Sequence, residues 1–130
     1  MDLPKGVTLI GAIGKSGQLG LNNKLPWPHD AEDMKWFRQV TMEADLIIGG
    51  YLTVIPGKLI LKNRHVEVDI RDITPLQFLQ LHDAVNKKVV VIGGARTYER
   101  WMDIARTILI TKINYDGPAD TWMGPLWKDD

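Results

Sequence analysis

Val89-Val90-Val91-Ile92 sets four β-branched residues side by side with no polar residue among them, and the run ends on Gly93-Gly94. Such residues stiffen an extended backbone, and a strand without polar alternation is one covered on both faces, as in the interior of a parallel sheet. The paired glycines end the strand, and Ala95-Arg96-Thr97-Tyr98-Glu99-Arg100 then reads as a helix. Shorter apolar runs at Val7 to Ile13, Leu46-Ile47-Ile48, Leu59-Ile60-Leu61 and Thr107 to Thr111 read as further strands. Between them, Asp30 to Thr41 puts Met34, Phe37 and Val40 or Thr41 on one side of a helix. Thr74-Pro75-Leu76-Gln77 has the order of an N-cap, a proline at the first helical position and a capping-box glutamine. Strand and helix alternate, which predicts an α/β domain with a mostly parallel central sheet and ligands outside the carboxyl ends of its strands.

The 130 residues suit a single domain over 1–130. Sixteen basic and sixteen acidic side chains leave no net charge, which removes the electrostatic case for a nucleic-acid or anionic-membrane partner. Without cysteine there is no disulfide, thiolate nucleophile or thiolate-bound metal, and three scattered histidines lack metal-ligand spacing, so no metal is expected. Met1 to Lys5 has no apolar signal core and no run is long enough to span a bilayer, so the expectation is a soluble, cytoplasmic chain. His29, His65 and His82 read as surface or loop residues, and Trp36 and Trp101 as core or boundary packing.

Three segments have the composition to carry chemistry. Leu19 to Pro28, with a glycine, two prolines and Trp27, is either a surface connection anchored by its tryptophan or a movable lid over a pocket. Asp30 and Asp33 suit the first turn of a helix as caps facing its dipole. Asp33 also shares a face with Phe37, where a carboxylate at the rim of an apolar pocket could hold a polar heterocycle through two hydrogen bonds, with its pKa raised by burial. The strand, Gly93-Gly94 and helix succession is either a plain turn or a phosphate cradle at a helix start.

Taken in order, Leu19-Gly20…Leu25-Pro26-Trp27, Asp33-Met34-Lys35-Trp36-Phe37-Arg38…Thr41, Ile92-Gly93-Gly94-Ala95-Arg96-Thr97-Tyr98, Leu109-Ile110-Thr111-Lys112-Ile113 and Asp120-Thr121 resemble the dihydrofolate reductase family. That resemblance implies a three-layer α/β domain and transfer of hydride from NADPH to C6 of dihydrofolate, with protonation at N5, giving tetrahydrofolate. It implies that Asp33 grips the pterin, with Glu32 as runner-up, that Thr111 supports it, that Trp27 belongs to the lid and that Tyr98 lies near the hydride path. Ile10, Met34, Phe37 and the Ile92 carbonyl would form the substrate wall, which methotrexate would also occupy. Ala12 and Ile13 would meet the nicotinamide, Leu19, Gly20 and Leu25 would close over it, and Gly50, Thr53, Gly93, Gly94, Ala95, Arg96 and Thr97 would hold the rest of the cofactor.

The chain departs from the family in three places. Gly49-Gly50-Tyr51-Leu52-Thr53 lacks the family's arginine for the NADPH 2′-phosphate; Lys62 and Arg64, read as following the third strand, either replace it or form a solvated basic turn. Lys58 stands where the family pairs an arginine with the substrate's glutamate carboxylate, offering a point charge in place of a planar fork. Finally, the sequence given stops soon after Asp120-Thr121, so the C-terminal hairpin is expected to be missing and the strand holding Ile108, Leu109 and Ile110 to be an open edge. Either Trp122 to Trp127 covers that edge or two chains meet there as a homodimer.

Overall fold

In the computed structural model, which describes residues 2–22, 24–28, 30–55 and 61–123, the valine run forms the centre of the sheet. The main strands are β1 (Gly6–Ile13), β3 (Leu46–Gly49), β4 (Val66–Val68), β5 (Lys88–Val91) and β6 (Ala105–Lys112), in the spatial order β4-β3-β5-β1-β6. All four of their pairings are parallel. Short β2 (Gln18–Gly20) and β7 (Thr121–Trp122) make a separate antiparallel pair. The helices are α1 (Ala31–Met42), α2 (Tyr51–Val54), α3 (Pro75–Leu81) and α4 (Ala95–Trp101).

Alternation along each strand splits the apolar side chains into two layers. Val7, Leu9, Leu46, Ile48, Val89 and Val91 pack with Phe78 and Leu79 of α3 and Tyr98 and Trp101 of α4. The intervening Ile10, Ile47, Val90 and Ile92 pack with Trp36, Phe37 and Val40 of α1. Helices therefore cover both faces, which is why the run from Val89 to Val91 in β5 needs no polar residue. Local signals set the helix ends: Asp30 caps α1 by accepting the Asp33 N–H at 3.0 Å, and the capping box at α3 is complete. There Thr74 Oγ1 accepts the Gln77 N–H at 3.1 Å, while Gln77 Oε1 accepts the Thr74 N–H at 2.8 Å.

Several expectations need correction. The strand beside β3 is Val66–Val68, not Leu59 to Leu61; Leu61 lies in a turn, and Leu59, Ile60 and Lys58 lie outside the described residues. A half-exposed edge strand alternates, as Val66-Glu67-Val68 does, so a search for uninterrupted apolar runs passes over it. Lys62 and Arg64 consequently precede this strand and stand at the amino end of β4, away from the carboxyl edge. Gln18, Leu19 and Gly20 form a strand where a loop was expected, because Thr121 and Trp122 pair with them. Trp122 pairs with Gln18, and Met123 is buried in the core with its N–H donated to Gly17 O at 2.9 Å; Gly124 to Trp127, the rest of the segment expected to cover β6, lie outside the described residues. Among the described residues β6 pairs only with β1, and Ile108 is 48% exposed. No helix among the described residues is long and apolar enough to cross a membrane.

One ion pair ties the carboxyl end of β4 to α4. Arg100 Nε donates to Asp69 Oδ2 at 2.8 Å, and its Nη2 donates to the carbonyls of Ile70 at 3.2 Å and Ile73 at 2.8 Å. The Asp69 side chain is 2% exposed, so the pair cannot be broken cheaply. Arg100→Ala, which would leave a buried carboxylate without its cation, is expected to lower unfolding free energy by about 3 kcal/mol, read from urea denaturation.

Candidate active site

The site arises where β1 and β5 part. Their last paired residues are Leu9 and Val91. Beyond them β1 runs on from Ile10 to Ile13 against β6 alone, while the Ile92 N–H turns to Ile48 O at 2.9 Å and Gly93 bends the chain toward α4. A crevice between neighbouring parallel strands whose chains leave in opposite directions is where ligands bind in open α/β sheets.

Tyr98 holds the base of the crevice. Its ring is buried, and its hydroxyl donates to Ile10 O at 2.7 Å, spanning the gap between α4 and β1. Burial, and then the Asp33 charge, push the phenol pKa well above its usual value, so it remains a donor. Glycine is required on both sides of this ring: a Cβ at Gly11 would stand 2.9 Å from the hydroxyl oxygen, and one at Gly93 would stand 3.0 Å from the ring. Gly93 also has φ +108°, a conformation that L side chains rarely adopt.

Asp33 enters from the first turn of α1 and is half-buried. Burial raises its pKa most, the neighbouring Asp30 charge raises it further, and a hydrogen bond with the Thr111 side chain on β6 opposes both. The acid lies on a cleft of about 340 Å³ together with Asp30, Glu32, Trp36, Thr111 and Ile113. Phe37, one turn on from Asp33, packs in the cluster that contains Ile10 and Ile92, while Met34 is half-buried on α1. Trp27 is buried against Ala12, Ile113 and Tyr115, and its Nε1 has no acceptor among the described residues. Asp33, Tyr98, Thr111, Trp27, Ile10, Ala12, Phe37 and Ile92 thus gather around the end of β1, although they come from five separate stretches of chain.

A second group lies beside the first. The Gly50 N–H donates to Gly93 O at 2.8 Å, joining the turn after β3 to the turn after β5. The Gly93-Gly94 peptide is cis. A Cβ at Gly50 would be 3.1 Å from Thr97 Oγ1, and one at Gly94 would be 3.8 Å from Thr53 Oγ1. Gly94 begins α4 without a side-chain cap, leaving Ala95, Arg96 and Thr97 in an uncapped first turn.

Other expected positions are less closely gathered. Leu19 packs on the core and Gly20 stands in the β2–β7 pair, whereas Leu25 is 51% exposed. The Ile13 carbonyl already accepts the Ile113 N–H at 2.8 Å. Lys62 is exposed, and Arg64 Nη1 donates to Thr41 Oγ1 on α1 at 2.7 Å, so neither reaches the glycine cradle. Gly11, which makes room for the Tyr98 hydroxyl, is not marked by any of the sequence motifs.

Sheet order, crevice and glycine turn together define an α/β protein with a ligand cleft at the carboxyl edge of a parallel sheet. The family model for dihydrofolate reductase matches residues 6–130, and the chain belongs to the dihydrofolate reductase family. It is 28% identical to a dihydrofolate reductase of Buchnera aphidicola (subspecies Schizaphis graminum) over 131 residues, covering 94% of this chain and 80% of that protein. It is 32% identical to a dihydromethanopterin reductase of Methylorubrum extorquens over 126 residues, covering 93% of this chain and 92% of that protein. A type 9 dihydrofolate reductase of Escherichia coli is 28% identical over 138 residues, covering 88% of this chain and 74% of that protein.

Because the folded chain holds the Asp33 proton more tightly than the unfolded chain, this carboxyl favours folding below the ordinary carboxylate range. That contribution is lost as pH rises through the raised value. Asp30→Asn keeps a side chain able to cap α1 and removes the neighbouring charge. The Asp33 carboxyl, followed by NMR, is expected to titrate at lower pH in this variant than in the unaltered protein.

Proposed function

We propose that this chain reduces a 7,8-dihydropterin, dihydrofolate in the first instance, with NADPH as the hydride donor. The observation that carries the proposal is Asp33: a half-buried acid with a raised pKa, supported by Thr111, on a cleft between the start of α1 and the end of β6. NADPH, when bound, supplies the hydride that reaches pterin C6. Two features suit this chain to hold it: the glycine turns that a Cβ would crowd, and the uncapped start of α4, where backbone N–H groups favour phosphate.

Within this reading Asp33 grips the amino-pyrimidine edge of the pterin through its two oxygens and stabilises the form protonated at N5. A carboxyl whose pKa is raised by burial holds its proton more tightly, which suits a protonation step. Thr111 fixes the orientation of Asp33. Ile10, Ile92, Met34 and Phe37 make the apolar wall, and Trp27 closes the end beside Ala12 and excludes water. Tyr98 fills the gap behind the reacting rings. Hydride transfer needs no nucleophile, so alignment and a dry field are what the protein must supply. Leu19, Gly20, Leu25, Ala12 and Ile13 remain assigned to the nicotinamide end, and Gly50, Thr53, Gly93, Gly94, Ala95, Arg96 and Thr97 to the pyrophosphate side.

For a glutamate-tailed substrate the resemblance assigns the tail carboxylate to Lys58, which lies outside the described residues. A second reading, a reductase of a pterin with a different tail, is favoured by the 32% identity to a dihydromethanopterin reductase across nearly its whole length.

Asp33→Asn is expected to lower kcat/KM for dihydrofolate at neutral pH by about 100-fold or more, followed by NADPH oxidation. Its urea midpoint should not fall, since the charge that burial penalises is gone. Unchanged turnover would overturn the role of this acid. Lys58→Ala should raise KM for dihydrofolate by about tenfold and leave a tail-less dihydropterin unaffected. Equal KM values for tailed and tail-less substrates in the unaltered protein would instead support the second reading.

A further inference from the structure

Trp27 stands between Pro26 and Pro28, neither of which has an N–H with which to fix the segment by backbone hydrogen bonding. No backbone hydrogen bond joins Trp27 itself to another described residue. Its ring is nevertheless 6% exposed, so its place is set by the side chains that pack on it. Among the described residues these are Ala12 near the end of β1, Ile113 just past β6, and Tyr115 two positions further on. Ala12 and Ile113 supply an aliphatic floor, which has no preferred ring orientation. Tyr115 differs: its ring meets the indole edge-on, with centroids 5.9 Å apart and planes at 62°, and such a contact is directional.

A ring can hold another in place only if it is itself held. The Tyr115 hydroxyl donates to Pro118 O at 2.6 Å, its N–H donates to Ile113 O at 2.7 Å, and its carbonyl accepts the Lys15 N–H at 2.7 Å. Gly117 leaves room for it, since a Cβ there would stand 2.7 Å from the hydroxyl oxygen. The next residue extends the hold. Asp116 Oδ1 accepts from Ser16 Oγ and, at 2.9 Å, from Gln18 Nε2. Gln18 is buried, accepts the Ser16 N–H at 2.8 Å and also donates to Gly117 O at 3.2 Å. The loop carrying Tyr115 is therefore clamped to the turn between β1 and β2, and the phenol is a fixed stop against the indole.

We propose that Tyr115 is a positioning residue for the reduction: its ring edge holds the Trp27 indole against Ala12 and so keeps the end of the pocket closed to water. This rests on the reductase reading. Tyr115 acts through Trp27 and touches no reacting atom. Without the edge contact the indole keeps its aliphatic floor but gains rotational freedom. The loss falls on the chemical step more than on binding, because Asp33 and Thr111, which hold the pterin, are untouched.

The test is fluorine NMR of protein labelled with 5-fluorotryptophan, combined with steady-state kinetics. The chain has five tryptophans, and the line missing from Trp27→Phe identifies Trp27. Tyr115→Leu is expected to shift and broaden that line, leave the Trp36 and Trp101 lines in place, and lower kcat about tenfold with KM for dihydrofolate within about twofold. Tyr115→Phe keeps the ring and loses the hydrogen bond to Pro118, and it should retain the Trp27 line and most of kcat. An unmoved Trp27 line in Tyr115→Leu, displacement of the Trp36 and Trp101 lines along with it, or equal losses of kcat in the two variants overturns the assignment and leaves the reductase reading standing. Failure of the unaltered protein to oxidise NADPH with any dihydropterin overturns that reading, and the role of Tyr115 with it.

Discussion

The hydrogen bond from the Tyr98 hydroxyl to the Ile10 carbonyl, 2.7 Å long and buried, is the constraint on which the site depends. Past Leu9 and Val91 the two central strands no longer satisfy one another, and a buried carbonyl without a partner would be costly. Tyr98 satisfies it from the neighbouring helix, so the crevice can stay open. The same ring needs Gly11 beneath it and Gly93 beside it, so strand, turn and helix are specified jointly.

Around that contact the chain divides its labour by element. The first turn of α1 supplies the acid, β6 supplies Thr111 beside it, and α4 starts at Gly94 without a side-chain cap. Raising the Asp33 pKa has a structural cost, because burial and the Asp30 charge both disfavour its ionised form. The Asp69–Arg100 pair works differently: it does no chemistry and ties the carboxyl end of β4 to α4.

The parallel centre of the sheet was legible because Val89 to Ile92 admits no wet face, and the helix starts were legible because Asp30 and the Thr74-Gln77 box are local chemistry. Asp33, Thr111, Tyr98 and the paired glycines could be named because their motifs lie within short stretches. Errors fell where local pattern is weakest. The edge strand Val66–Val68 has only three residues and alternates, so the apolar Leu59 to Leu61 outcompeted it. That single misplacement carried Lys62 and Arg64 to the wrong end of the sheet.

What the sequence by itself determined was which residues could be buried, capped or charged, since hydrophobic period and capping side chains act over a few neighbouring positions. Which groups meet was decided by tertiary structure: Trp122 beside Gln18, Arg64 on Thr41, Arg100 around Asp69 and Tyr98 under Ile10 are all distant in sequence. Strand order sets those meetings, and strand order follows from packing two helical layers on one sheet, a condition that no local stretch of chain contains.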